Sequence, residues 1–202
     1  MTTQLLKISF IGIFSIMLFA CSKKSSSTPT PAPPSQFTVN GVSYSAGTQL
    51  TVPNATAIQN GTFNPTIPAG GGYVSYTSTY VNNSITYYQY VFGQESIPTT
   101  GDSVNSLIIV ESLTPIVAGT YTIFGTSDKP NSLPFAVESF SNTNLSYNDS
   151  TATGKLVISS INTTNKTISG TYSYTATGTK GSSPATITVT NGQLNNIGFQ
   201  QF

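Results

Sequence analysis

The 202-residue chain has no histidine, no arginine and no tryptophan, and only one cysteine. Each absence removes a class of function. Without histidine there is no Ser-His-Asp triad, no Cys-His dyad and no His-ligated zinc. Without arginine there is no bidentate grip on phosphate or carboxylate. Phosphate-cradling loops of the GxGxxG or GxxxxGKS/T type are missing too. A single cysteine cannot close an intrachain disulfide. Charged side chains make up only 6 % of the chain, with seven lysines against six carboxylates, where a quarter is usual. A nucleic-acid binder needs a basic surface to displace phosphate counterions, and these scattered lysines do not make one. Solubility must come from Ser, Thr, Asn and Gln, a habit of exported β-rich proteins.

The longest apolar run, Ile8–Ala20, follows Lys7 and stops beside the lone Cys21. It is shorter than the about 20 residues that span a bilayer, so it reads as a secretory leader, residues 1–20. Leu18-Phe19-Ala20-Cys21 resembles the bacterial lipobox. That resemblance implies cleavage before Cys21, acylation of its thiol, and attachment to the outer membrane through the lipid. The residues after it, Ser22-Lys23-Lys24-Ser25, lack the acidic cluster of a surface-export signal, which points to the periplasmic side. Removing Lys7 with the leader leaves six bases against six acids, a formally neutral mature chain.

Residues 21–36 continue as CSKKSSSTPTPAPPSQ, with four prolines and no large apolar side chain. Such a segment cannot bury enough surface to fold, and its Pro-rich half makes a semi-rigid tether. The shift at Phe37-Thr38-Val39 marks the start of one domain, residues 37–202, long enough to bury roughly 70 % of its unfolded surface.

Within that domain the apolar period is 2 rather than 3.6. Ile168, Gly170, Tyr172, Tyr174 and Ala176 alternate with Ser and Thr, as do Ala185, Ile187 and Val189. Leu156–Ile161 is expected to pair back on Ile168–Ala176 around 162–165. Tyr73–Val81 and Ile85–Gly93 flank Asn82-Asn83-Ser84, and Asn40-Gly41 joins Phe37–Val39 to Val42–Tyr44; both read as hairpins. Leu107–Val110, apolar on both faces, reads as a central strand, and Thr120–Phe124 and Phe135–Phe140 complete the set. Short strands with Gly, Asn and Pro between them predict an all-β fold, an antiparallel sandwich or an open, lipocalin-like barrel.

Two stretches carry a resemblance. Phe37-Thr38-Val39-Asn40-Gly41-Val42-Ser43-Tyr44-Ser45-Ala46 resembles the x-x-V-N-G-x-x-Y/W-x-A opening of many lipoproteins of Bacteroidota. Gly154–Ile158, Ile168–Ala176 and Thr188–Ile197 resemble the end of the DUF6252-type family of uncharacterised lipoproteins from that phylum. The resemblance covers about half of the domain and implies fold and envelope location, with no activity to transfer. Asp102-Ser103-Val104 and Asp149-Ser150-Thr151 resemble the O-glycosylation acceptor of the same lineage, which makes Ser103 and Ser150 candidate sites.

The remaining chemistry is limited. Paired carboxylates could hydrolyse glycosides, and Glu111 and Glu138 are the candidate pair if facing strands bring them together, which nothing in the spacing requires; strand-end acids on a solvated rim are the commoner case. Calcium is the one metal that oxygen ligands alone would suit, and neither Gly101-Asp102-Ser103 nor Asn148-Asp149-Ser150 supplies the run of acids a strong site uses. No cofactor or metal is therefore expected. The remaining handle is tyrosine: Tyr76, Tyr80, Tyr87, Tyr88 and Tyr90 crowd one hairpin, and an exposed strip of them would suit a wet binding surface. The sequence thus points to a non-enzymatic, lipid-anchored binding module for a glycan, a small apolar ligand or an envelope protein. An apolar-ligand carrier and a carboxylate-pair enzyme are the alternatives.

Overall fold

Asparagines open two of the tight reversals among the described residues. The computed structural model describes residues 33–54, 65–96, 103–125, 127–128, 130, 132–142, 147–180 and 182–202, with backbone alone at 137–142, 147–150 and 180. Strand β1 (Ser35–Val39) turns into β2 (Val42–Ala46) through Asn40-Gly41. Strand β4 (Gly72–Asn82) turns into β5 (Ile85–Ser96) through Asn83-Ser84. All four turn residues have positive φ, from 46° to 86°, the signature of a type I′ turn whose twist matches the strands it joins. Asn82 itself belongs to the ladder, opposite Ile85, so the second turn is one residue shorter than the sequence suggests.

The other elements are β3 (Thr48–Gln49), β6 (Val104–Ser112), β7 (Gly119–Phe124), β8 (Phe135–Asn142), β9 (Tyr147–Asn162), β10 (Thr167–Lys180), β11 (Ser183–Gly198) and β12 (Gln200–Gln201). They form one sheet in the order β12-β4-β5-β6-β8-β7-β9-β10-β11-β1-β2. The two ends of that path meet. β3, which follows β2 after Gly47, pairs with the outer edge of β4, and Ser45 N donates to Ser96 Oγ at 3.3 Å. The sheet is therefore a nearly closed barrel, which decides between the two all-β architectures. Pairing is antiparallel except at β3–β4, β12–β4 and β7–β8. The first strand begins at Ser35, which is buried, so the last two residues assigned to the tether, Ser35 and Gln36, lie in the sheet.

Closure needs a backbone without a side chain at one place. A Cβ on Gly71 (φ +86°) would stand 2.4 Å from the Glu95 carbonyl oxygen and 2.9 Å from Ser96 Cα, so only glycine lets the seam close. Curvature comes in part from β11, with two further register shifts on β9 against β10. The β11 pairing shifts register opposite Tyr172/Tyr174 and Ile168/Gly170, next to Asn191 and Asn196, both at positive φ. Such bulges bend a strand and raise its twist.

Alternation sorts the side chains into two clusters. Phe37, Tyr90, Phe92, Ile108, Val110, Ile123, Leu156, Ile158, Ile168, Tyr172, Tyr174 and Leu194 are among those filling the barrel interior. Outside the wall, Val52, Val74, Tyr76 and Val91 form a smaller cluster, joined by Leu50, Leu107 and Ile109. The chain after β3 covers this outer cluster. Leu50 N donates to the Tyr73 carbonyl at 2.8 Å, and Gln200 makes two bonds to Val52, accepting from its N–H at 2.7 Å and donating to its carbonyl at 3.0 Å. Strands β5 and β6 are thus apolar on both faces because both faces are covered.

Barrel interior and hairpin tip as the candidate site

The five candidate tyrosines of the β4–β5 hairpin part company. Tyr90 is fully buried, at 0 % exposure, in the interior cluster. Tyr76 is buried on the other face, at 1 % exposure, in the outer cluster, with its ring edge-on to Phe202 at 5.7 Å between centroids. The expected single strip therefore does not form. The lower half of the hairpin is sandwiched between barrel core and covering segment, so two of the five candidate rings are core, as is the hairpin's sixth tyrosine, Tyr73.

Tyr80 and Tyr87 lie opposite each other near the hairpin tip, half-buried, with rings stacked 5.0 Å apart at 9°. Glu111, on the neighbouring strand, ties this pair down. Its Oε1 accepts from Tyr80 OH at 3.3 Å and from Gln89 Nε2 at 2.9 Å. Burial first, and then the Glu111 charge, push the Tyr80 phenol up to about 12, because a phenolate there would lose water and face a carboxylate.

Tyr88, the fifth ring, faces the other way. It is half-buried and lines a depression of about 230 Å³ at the mouth of the barrel. Ile116, on the β6–β7 connection, and Ile161, at the end of β9, pack against the core beneath it; Phe199 adds a buried ring. Thr77, Thr79 and Thr163 supply hydroxyls around it, and no lining side chain carries a charge. Ser78 also borders the depression, but alternation turns its side chain to the outer face with Tyr76 and Tyr80. No sequence pattern marks this site. Ile116, Ile161 and Phe199 are dispersed over more than eighty positions and share no spacing; only Tyr88, by its place on the hairpin, hinted at it.

Below the mouth the interior closes on itself. Ser35 Oγ donates to Gln94 Oε1, and Gln94 Nε2 donates to Tyr172 OH. Ser75 Oγ donates to Tyr90 OH at 3.2 Å, and Ser106 and Tyr174 share a hydroxyl bond of 3.1 Å. Burial pushes the Tyr90 and Tyr172 phenols well above their ordinary value, with the Ser75 and Gln94 donors opposing the shift. Buried polar groups are satisfied here by each other, and aromatic rings at 6.3 Å (Tyr73–Phe92, Phe92–Tyr172) and 6.5 Å (Tyr172–Tyr174) occupy the space between.

The remaining candidates are dispersed. Cys21 lies outside the described residues, as does Asp102. Ser103 is half-buried at the entrance to β6, and Ser150 lies within β9 rather than in a turn. Glu111 pairs with Phe135 and Glu138 with Ile108, three ladder positions apart, an odd offset that puts the two positions on opposite faces of the sheet. Among the described residues, no three His, Cys, Asp or Glu side chains gather as metal ligands. Comparison of the chain with protein-family models, curated proteins and solved structures finds no match.

Proposed function

We propose that this chain is a non-enzymatic binding module, held to the outer membrane by lipid at Cys21, whose ligand meets the barrel at its mouth beside Tyr88. The observation that carries this reading is the contrast within the barrel. The interior is packed with side chains whose polar atoms bond one another, whereas the mouth presents uncovered carbon, hydroxyls and a half-buried aromatic ring. Barrel mouths are a common place for ligand sites. A ligand here is held at the end of the barrel rather than swallowed by it, which sets this module apart from a carrier with a deep cavity. The non-enzymatic reading is supported by the lack of histidine, by the opposite-face positions of Glu111 and Glu138, and by the Glu111 carboxylate being engaged by Tyr80 and Gln89.

Two measurements test the reading. Fatty-acid labelling in cells should be lost in Cys21→Ser; retained label at that variant refutes the anchor. Residues Ala32–Phe202 form a compact unit with its own core, so the chain from Ser22 onward can be studied without leader or lipid. Glycan and lipid arrays probed with that protein should yield a ligand whose retention is lost in Tyr88→Ala. Retention indifferent to Tyr88, or conversion of the ligand to product, refutes the assignment.

A further inference from the structure

Resting on that reading of the mouth, we infer the chemical class of its ligand: a neutral apolar group, one ring or a short acyl segment in size, entering with its carbon end first. Charge decides the first part. No lining side chain is ionised, and Lys166, the charge that reaches a lining residue, is already bonded to Gln201 Oε1, so an ion leaving water would meet no charge in the lining itself and would lose more than it gains.

The arrangement of polarity decides the second part. Ile116, Ile161 and Phe199 offer carbon at the base, against the interior cluster, while Thr77, Thr79 and Thr163 stand around it. A sugar ring carries hydroxyls on its whole periphery, and those meeting this base would be buried without partners, which is costly for each one. An aliphatic or aromatic end meets no such penalty, and its polar attachment point would lie among the threonines. Size sets the limit. At about 230 Å³ the depression is smaller than the 300–1,000 Å³ of drug-sized sites, so it takes the tip of a larger molecule.

The test is a fluorescence titration of the Ser22–Phe202 protein with N-phenyl-1-naphthylamine, a neutral apolar dye. Saturable one-to-one binding is expected, with decanol displacing the dye and N-acetylglucosamine leaving it in place. Thr79→Trp puts a large ring on an exposed strand position at the mouth and should weaken binding at least about tenfold with unchanged circular dichroism. Thr122→Trp, on the exposed side of β7, should not change it. Absence of saturable binding, displacement by the sugar, or full binding by Thr79→Trp overturns the proposal. If the dye fails while a glycan is still retained in a Tyr88-dependent way, the ligand class is wrong and the mouth stands; if both fail, the mouth itself is not a site.

Discussion

Replacing Tyr172 by Phe removes one oxygen from the middle of the barrel and should cost more than its size suggests. Tyr172 is 3 % exposed, and its hydroxyl accepts from Gln94 Nε2, while Gln94 Oε1 accepts from Ser35. Both partners are buried, at 4 % and 0 % exposure, so the freed amide hydrogen finds no water. A buried donor left unmade costs about 1–3 kcal/mol. At about 2–4 °C per kcal/mol for a domain of this size, melting should fall by roughly 2–12 °C. Gln94→Leu takes the amide from both the Tyr172 and Ser35 hydroxyls, which keep each other as partners, and should cost no more than Tyr172→Phe. The double variant leaves Ser35 without either partner, so the two changes should not be additive, with a coupling of about 0.5–3 kcal/mol. Urea unfolding followed by circular dichroism at 25 °C measures all three. If Tyr172→Phe lies within about 0.3 kcal/mol of the parent, or the two changes are additive, water reaches Gln94. The interior would then be wet, and the contrast that singles out the mouth would disappear.

Three further outcomes follow from local geometry. Gly70 and Gly71 share nearly the same φ, +87° and +86°, but a Cβ on Gly70 meets nothing within 4 Å while one on Gly71 strikes the Glu95–Ser96 backbone. Gly70→Ala should therefore cost only the left-handed penalty of about 1–2 kcal/mol, and Gly71→Ala clearly more, as a difference in urea midpoints; equal costs would show that the seam is not closed at Gly71. Ser84 occupies a turn position at φ 64° where glycine is preferred, so Ser84→Gly should stabilise by roughly 0.5–1 kcal/mol, and a lower urea midpoint would contradict the turn assignment. The Tyr80 phenol, raised to about 12 by burial and by Glu111, stands above its unfolded value near 10. Its stabilising contribution is therefore complete below pH 10 and is lost as pH rises from 10 through 12. In Glu111→Gln the Tyr80 titration, followed by its ring-carbon NMR shift, should move down towards 10; an unmoved titration would exclude the carboxylate as a cause.

What the sequence made legible is what period 2 and turn chemistry encode. The alternation Ile168-Gly170-Tyr172-Tyr174-Ala176 marks the inner face of β10 residue by residue, and Asn40-Gly41 and Asn83 mark the tight turns. Asn191-Gly192 shows the limit of such reasoning. As a dipeptide it is a turn signal, yet β11 runs straight through it, with Asn191 at the bulge. Gly192 is needed for a non-local reason: a Cβ there would sit 2.5 Å from the Tyr172 ring. The fate of the hairpin tyrosines was equally non-local. Whether Tyr76 is surface or core depends on residues 50–54 and Phe202 lying over β4, and nothing in the alternation of β4 announces a cover supplied from both ends of the domain. The mouth was invisible for the same reason, since closure of the barrel, not any motif, brings Tyr88, Ile116, Ile161 and Phe199 together.

The most direct measurement is an amide chemical-shift map of the Ser22–Phe202 protein as N-phenyl-1-naphthylamine is added. Perturbations concentrated at Thr77–Thr79, Tyr88–Gln89, Ile116, Ile161–Thr163 and Phe199 are expected, with Ala152–Ile158 and Tyr172–Ala176 undisturbed. Shifts concentrated along those interior strands, or on the outer face around Tyr80 and Tyr87, would contradict a barrel that is filled within and binds at its mouth.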